Sequence, residues 1–387
     1  MKKGRKAWAL FLAALLAIAL LSGCGSSTGS SAGGKTDAGK EENLTAPDEK
    51  TEEEKENDDI QDTAEGDVGI IETANFPDDY EQEADQQGQV TKLDYTYTTA
   101  SGDAESKQAM VYLPYGYSDS NQYDVLYLMH GMGGTQYTFL GNGDDGDRST
   151  FTNVVDHMIE DKVIQPVIIV APTITPGYSD DGQMINSLCD EVTTTLMPLV
   201  ESTYHTYADS TDKAGLEASR DHRAFGGFSM GACITWNMLW KETQYFRYYM
   251  PFSMIIDYSN DGDIEGTTKA LYDTLESEGY TSDDFDIYAA CGTKDYTNLY
   301  VRQQIEELEK YDDMFVYTSS GFSNGNLMYA EWPGHYHRYS ESYQYFYCGL
   351  MRCFPGEAVE GVLSSDASSA AENGSAGSGG GVSTGSN

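Results

Sequence analysis

Basic residues are scarce in this 387-residue chain: 23 Lys+Arg stand against 63 Asp+Glu, a formal net charge of −40. Binding a phosphate backbone needs a basic footprint, so the balance excludes a nucleic-acid binder. Long apolar runs are also lacking. The apolar stretch at residues 7–21 has 15 residues, short of the roughly 20 that span a bilayer. Cysteine is sparse as well, with six in the chain and no CxxC pair or zinc-ligand spacing among them.

What is present is unevenly distributed. The terminal segments, residues 1–90 and 356–387, carry −16 of the total, leaving −24 on residues 91–355. A prior of about 150 residues per domain would give two or three domains, but the composition lowers that count. Most of the 29 Tyr and 13 Phe fall in the middle block, which is long enough to bury a substantial core as one large α/β domain. Residues 24–88, rich in Gly and Ser at first and then in acids, read as a disordered tether that self-repulsion extends. Residues 356–387 read as a Ser/Gly-rich disordered tail.

At the N-terminus, Lys2, Lys3, Arg5 and Lys6 precede the apolar run, as in an export signal. The run ends in Leu21-Ser22-Gly23-Cys24, which resembles the lipobox of bacterial lipoproteins. That resemblance implies a signal peptide at residues 1–23, lipidation of Cys24, and a domain held at the cell surface, outside the cytoplasmic membrane. Five cysteines then remain, an odd number, so at least one thiol is free; most are expected to be buried.

Within residues 89–355, strand-like and helix-like patterns alternate. Residues 89–99, 109–113, 123–130, 166–174, 223–228, 248–254, 286–291 and 327–331 read as strands. Residues 151–160, 191–204, 232–241 and 300–311 read as helices. Opening strands followed by βα repeats predict an α/β fold: a mostly parallel central sheet with antiparallel N-terminal strands and helices on both faces. Ligands bind beyond the carboxyl ends of such strands. Residues 255–285 are expected to form a loop or partial lid. Within them Asp257, Ser259, Asp261, Gly262, Asp263 and Glu265 imitate the start of a calcium loop. Thr268 stands where a bidentate Glu is required, so an acidic turn is expected and no metal or cofactor is implied.

The motif that carries chemistry is Gly227-Phe228-Ser229-Met230-Gly231, set between a strand and a helix. A serine on a sharp strand-to-helix turn needs small neighbours on both sides, and that context marks a nucleophile. Serine alone is weak, so an acid and then a base must follow it in the chain. Asp295, in Cys291-Gly292-Thr293-Lys294-Asp295, sits just past a strand and is the expected acid; helix capping is its other reading. His335 and His337 follow Ser229 in Trp332-Pro333-Gly334-His335-Tyr336-His337. The Pro333-Gly334 turn favours His335 as the base, with His337 expected to point elsewhere. Oxyanion donors are expected from the N–H groups of Met132, in His130-Gly131-Met132-Gly133-Gly134, and Met230. Tyr296, Trp332 and Tyr336 flank the expected acid and base and are candidates to hold a sugar or phenolic ring. Trp236 and Trp240, spaced i,i+4, are expected in the core.

On these residues the chain resembles the esterase D and feruloyl esterase branch of the α/β-hydrolase superfamily. The similar blocks are residues 111–117, 123–134, 166–173, 223–231, 292–295 and 334–335, in that family's order. The resemblance implies a serine esterase working through an acyl-enzyme, without a cofactor, on feruloyl or acetyl esters of plant polysaccharide. A domain carrying −24 favours a neutral polymer over a polyanion. Alternatives are a cell-envelope acyltransferase, a general carboxylesterase, or a catalytically silent carbohydrate-binding domain. The implied partners are the acyl ester substrate and, through the N-terminal lipid alone, the membrane.

Overall fold

The structure, a computed structural model, describes residues 70–71, 75–99, 101–144, 147–174, 181–258 and 263–359. The expected signal, Cys24 and most of the expected tether and tail lie outside the described residues.

β4 (Asp124–Met129), apolar after its opening Asp124, and the all-apolar β5 (Val167–Ala171) are buried nearly throughout, as strands covered on both faces must be. They sit inside a nine-stranded sheet of order β1-β9-β8-β7-β6-β4-β5-β3-β2. The remaining strands are β1 (Ile70–Ile71), β2 (Gln89–Thr98), β3 (Ala104–Leu113), β6 (Arg223–Phe228), β7 (Tyr248–Phe252), β8 (Asp286–Gly292) and β9 (Leu327–Trp332). Antiparallel pairing is confined to β2 with β3 and β3 with β5; every other pair is parallel. The carboxyl ends of β4, β6, β8 and β9 therefore open on one edge of the sheet.

Helices cover the sheet. They are α1 (Thr150–Glu160), α2 (Asp181–Glu191), α3 (Met197–Thr203), α4 (Lys213–Ala218), α5 (Met230–Lys241), α6 (Ile264–Glu278), α7 (Asn298–Leu308) and α8 (Tyr339–Cys353). A π-helical turn at Val192–Leu196 joins α2 to α3, so the helix expected at 191–204 is the second half of a longer helical segment. Among the described residues, no helix is long and apolar enough to cross a membrane.

Two expectations about boundaries need correction. The tether was expected to reach residue 88, yet residues 75–88 pack on the domain. Phe76 and Tyr80 join the core cluster, Tyr80 stacks on His157 at 4.8 Å, and the Gly88 N–H donates to Asp156 at 2.8 Å. Two aromatic anchors outweigh the acidity of that stretch. At the other end, the Gly356 and Ala358 N–H groups donate to Val163 O and Lys162 O, both at 3.0 Å, so the domain continues past 355.

Nor is the whole of 255–285 a loop. Residues 264–278 form α6, which Asp263 caps through the Gly266 N–H and which buries Thr267, Thr268, Leu271 and Leu275. Its apolar positions are few and its polar face long, which hid the helical period. Of the calcium-like stretch, residues 259–262 lie outside the described residues; Thr268 faces the core. Trp236 is core, whereas Trp240 is half-buried and donates its indole N–H to Thr274 at 3.0 Å. Among the described residues, the five cysteines from Cys189 to Cys353 are buried and none is in a disulfide.

Two buried ion pairs fix the strands that carry the site. Arg223, which opens β6, is held by Glu201 and by Ser219 Oγ and Leu216 O, both at 2.5 Å. Arg302 of α7 pairs with Glu331 of β9, whose carboxylate also accepts from Tyr329 Oη at 2.8 Å and Asn298 Nδ2 at 3.0 Å. Charges this deeply buried persist only when paired and hydrogen-bonded.

Candidate active site

Ser229 sits between β6 and α5 with φ 57° and ψ −120°, a conformation that is strained for any residue with a side chain. Two glycines make that turn possible. A Cβ on Gly227 would lie 2.4 Å from the backbone of Gly231, and one on Gly231 would lie 2.2 Å from Met129 O. No side chain fits at either position. The Ser229 N–H donates to Phe252 O at 2.9 Å, which ties the turn to β7.

His337 meets that serine. Its Nε2 lies 2.8 Å from Ser229 Oγ, and its Nδ1 lies 3.0 and 2.9 Å from the two oxygens of Asp295. His335, the expected base, is not part of this chain of contacts. Its ring stacks on Trp332 at 5.3 Å and on Tyr345 at 5.7 Å, and burial lowers its basicity. The Pro333-Gly334 turn, with Gly334 at φ 79°, closes by a bond from the His335 N–H to Trp332 O at 3.3 Å. It folds the His335 backbone onto the end of β8, where His335 O accepts from the Lys294 N–H at 3.0 Å. The turn thus uses His335 to anchor the loop and releases the chain toward Ser229 two residues later.

Asp295 is 2% exposed. Burial alone would raise its carboxyl pKa, but the adjacent His337 ring and hydrogen bonds from Thr297 outweigh burial and hold it below the usual carboxylate range. The Thr297 N–H donates at 2.8 Å and its hydroxyl at 2.7 Å. Asp295 does not cap α7, whose N-cap is Thr297; its carboxylate accepts instead from the Thr297 turn and from the imidazole. The sequence signal for this contact is the Asp itself, since Asp side chains commonly accept from the backbone N–H two residues on; the added bond from the Thr297 hydroxyl has no such signal.

The loop after β4 is shaped by His130, another residue not singled out from sequence. Burial pushes this imidazole down to about 4, so it is neutral. Its Nε2 accepts from the Ile174 N–H at 3.4 Å and the Thr173 hydroxyl at 3.1 Å. The remaining ring proton is then on Nδ1, which donates to Gly131 O at 2.7 Å. Gly131 O also accepts from the Gly134 N–H at 3.1 Å. In a trans peptide the N–H points opposite the carbonyl, so the two bonds on Gly131 O restrain the peptide plane that carries the Met132 N–H. Met132 is 58% exposed. Met230 is the first residue of α5, where N–H groups have no partner within the helix.

The three aromatic candidates separate. Trp332 is 1% exposed and belongs to the core, so it is not available to a ligand. Tyr296 is half-buried, with its ring 4.5 Å from that of His337. Tyr336 is half-buried between Lys294 and Arg338, whose cationic groups lie 5.6 and 5.1 Å from its ring centre. Among the described residues, no group of three or more His, Cys, Asp or Glu is placed to hold a metal.

A strained serine at the carboxyl edge of a mostly parallel sheet, with an imidazole and a buried carboxylate in line, is the arrangement of an α/β-hydrolase. Comparison with known proteins gives the family. The Esterase family model matches residues 104–346. The feruloyl esterase module from Clostridium thermocellum, solved in complex with sinapinate, is 31% identical with a TM-score of 0.64, covering 74% of this chain and 94% of that one. The ferulic acid esterase of the anaerobic fungus Anaeromyces mucronatus, at 17% identity and a TM-score of 0.52 over 73% and 97% of the two chains, shares the fold. Endo-1,4-beta-xylanase Y of Acetivibrio thermocellus is 33% identical over 278 residues, which are 72% of this chain and 24% of that protein. This chain thus spans about a quarter of that xylanase's length. The chain belongs to the Esterase family.

Proposed function

We propose that the protein is an exported, lipid-anchored serine esterase that removes feruloyl or acetyl groups from neutral plant polysaccharide through an acyl-enzyme. The observation that carries this reading is the continuous relay from Ser229 Oγ through His337 to Asp295. His337 Nε2 takes the Ser229 proton as Oγ attacks the ester carbonyl, and Asp295 holds the Nδ1–H and stabilises the imidazolium. The N–H groups of Met132 and Met230 take the negative charge of the tetrahedral intermediate. His337 then protonates the leaving alcohol, and water, activated by the same imidazole, releases the acid.

The substrate class is supported by the relatives: one is solved with sinapinate, and another is named a xylanase. It is also supported by charge, since −24 on residues 91–355 repels polyanions. An open groove of about 900 Å³ is lined by Gln136 and Tyr137 together with Gln108, Ser106, Thr96 and Asp94 among others. One partly exposed aromatic ring beside amides and hydroxyls can hold a neutral sugar chain, with Asp94, Glu105 and Lys107 in the same lining as further hydrogen-bonding groups. The charged run at residues 2–6 and Cys24 support export and anchoring.

The test is a panel of methyl ferulate, acetylated xylan and p-nitrophenyl esters of increasing acyl length, run on the wild type and Ser229→Ala. Turnover of a feruloyl or acetyl ester that the variant lacks is expected. Retention of wild-type activity by the variant sinks the mechanism, and preference for long acyl chains sinks the substrate class.

A further inference from the structure

We infer that Tyr339 is a positioning residue for the oxyanion loop, its hydroxyl holding the His130–Gly131 peptide so that the next N–H, that of Met132, faces the reacting carbonyl. This rests on the serine-esterase reading above. The Gly131 N–H donates to Tyr339 Oη at 2.8 Å across 208 residues of sequence. That bond removes Gly131 N–H from the set of donors open to substrate and fixes the peptide plane immediately before the one that carries the Met132 N–H. His130 and the Gly134 N–H fix the second plane through Gly131 O. Only together do the two peptide planes define where the Met132 N–H points.

The loop is built around the phenol. A Cβ on Gly134 would lie 2.7 Å from Tyr339 Oη, and one on Gly131 would lie 3.0 Å from Oη and 3.0 Å from Ser229 Cβ. These two glycines seat the hydroxyl beside the nucleophile. The ring is held independently, against Phe228 at 5.1 Å and Phe139 at 5.6 Å. Burial raises the phenol to about 12, so it stays neutral at working pH and never sets a negative charge beside the developing oxyanion. Tyr339 also opens α8, two residues after His337. One short segment therefore supplies the base and sets the loop opposite it.

The test is Tyr339→Phe, which keeps the ring packing and removes only the acceptor. With methyl ferulate, kcat should fall about 10- to 100-fold, less than the loss of a whole oxyanion donor, while KM stays within about twofold and the pH profile keeps its shape. Binding of an aryl boronate, which forms a tetrahedral adduct on serine, should weaken by a similar factor, while binding of free ferulate does not change. Gly134→Ala, whose Cβ would press on both the Tyr339 hydroxyl and His130, should produce a split at least as large. An unchanged kcat in Tyr339→Phe overturns the inference, as does a fall in kcat matched by equal losses in ferulate binding and in Tm. If Ser229→Ala is inactive while Tyr339→Phe is wild type, this inference fails alone; if both are active, the underlying reading fails.

Discussion

His337 Nε2 lies 2.8 Å from Ser229 Oγ, whereas His335, two residues earlier on the same loop, lays its ring on Trp332 at 5.3 Å. The two imidazoles therefore have separable roles. His337→Ala should lower kcat/KM for methyl ferulate by at least about a thousandfold, as loss of a catalytic base does. His335→Phe, which keeps a flat ring against Trp332, should retain most activity and affect mainly Tm. Steady-state kinetics on both variants check this, and equal losses in the two would contradict the assignment.

The Arg302–Glu331 pair ties α7, which follows Asp295, to β9, which leads to His337. Removing one partner leaves a buried charge alone, which costs about 3–5 kcal/mol. Arg302→Met should lower stability by about that amount, and the Arg302→Met/Glu331→Met double variant should recover part of it. Urea unfolding of the two variants reads the difference.

His130 carries a pH signature. Its folded pKa of about 4 lies below the ordinary 6.5, so between those values the unfolded chain takes a proton that the folded protein refuses. Its contribution to stability is intact above about pH 6.5 and is lost as pH falls toward 4, by up to about 3 kcal/mol. The stability difference between wild type and His130→Asn should shrink over that window. A difference constant from pH 7 to 4.5 would contradict a neutral, buried His130.

The groove lined by Gln136 and Tyr137 predicts a split between small and polymeric substrates. Tyr137, 37% exposed, holds its hydroxyl on Gln108 at 2.9 Å. Tyr137→Ala should raise KM for feruloylated xylo-oligosaccharides several-fold and leave methyl ferulate unchanged. Equal effects on both substrates would remove the groove from the sugar path.

Much of this was legible in sequence, and what was missed has local causes. Ser229 declared itself through glycines that no other residue can replace, and the apolar runs of β4 and β5 are long enough to read as buried strands. Asp295 followed from its place after a strand. His337 rather than His335 meets Ser229 because a Pro-Gly turn marks where a chain bends, not which residue after the bend emerges at the site. Here the turn lays His335 on Trp332 and brings His337 to Ser229. Trp332 sat near the acid and base in sequence, but as the last residue of β9 it faces the core. Helix α6 was hidden by a long polar face, and the packing of residues 75–88 by an acidic background that masked Phe76 and Tyr80. His130, Thr297 and Tyr339 act through contacts that span 1, 2 and 208 residues. Of these, only the contact of Thr297 has a recognisable sequence pattern.

The most direct test of the central claim is acid quench during turnover of methyl ferulate, followed by peptide mass analysis. The account predicts a feruloyl adduct on the peptide carrying Ser229, absent in Ser229→Ala and depleted in His337→Ala. Turnover at the wild-type rate in Ser229→Ala, or an adduct on another residue, would contradict it.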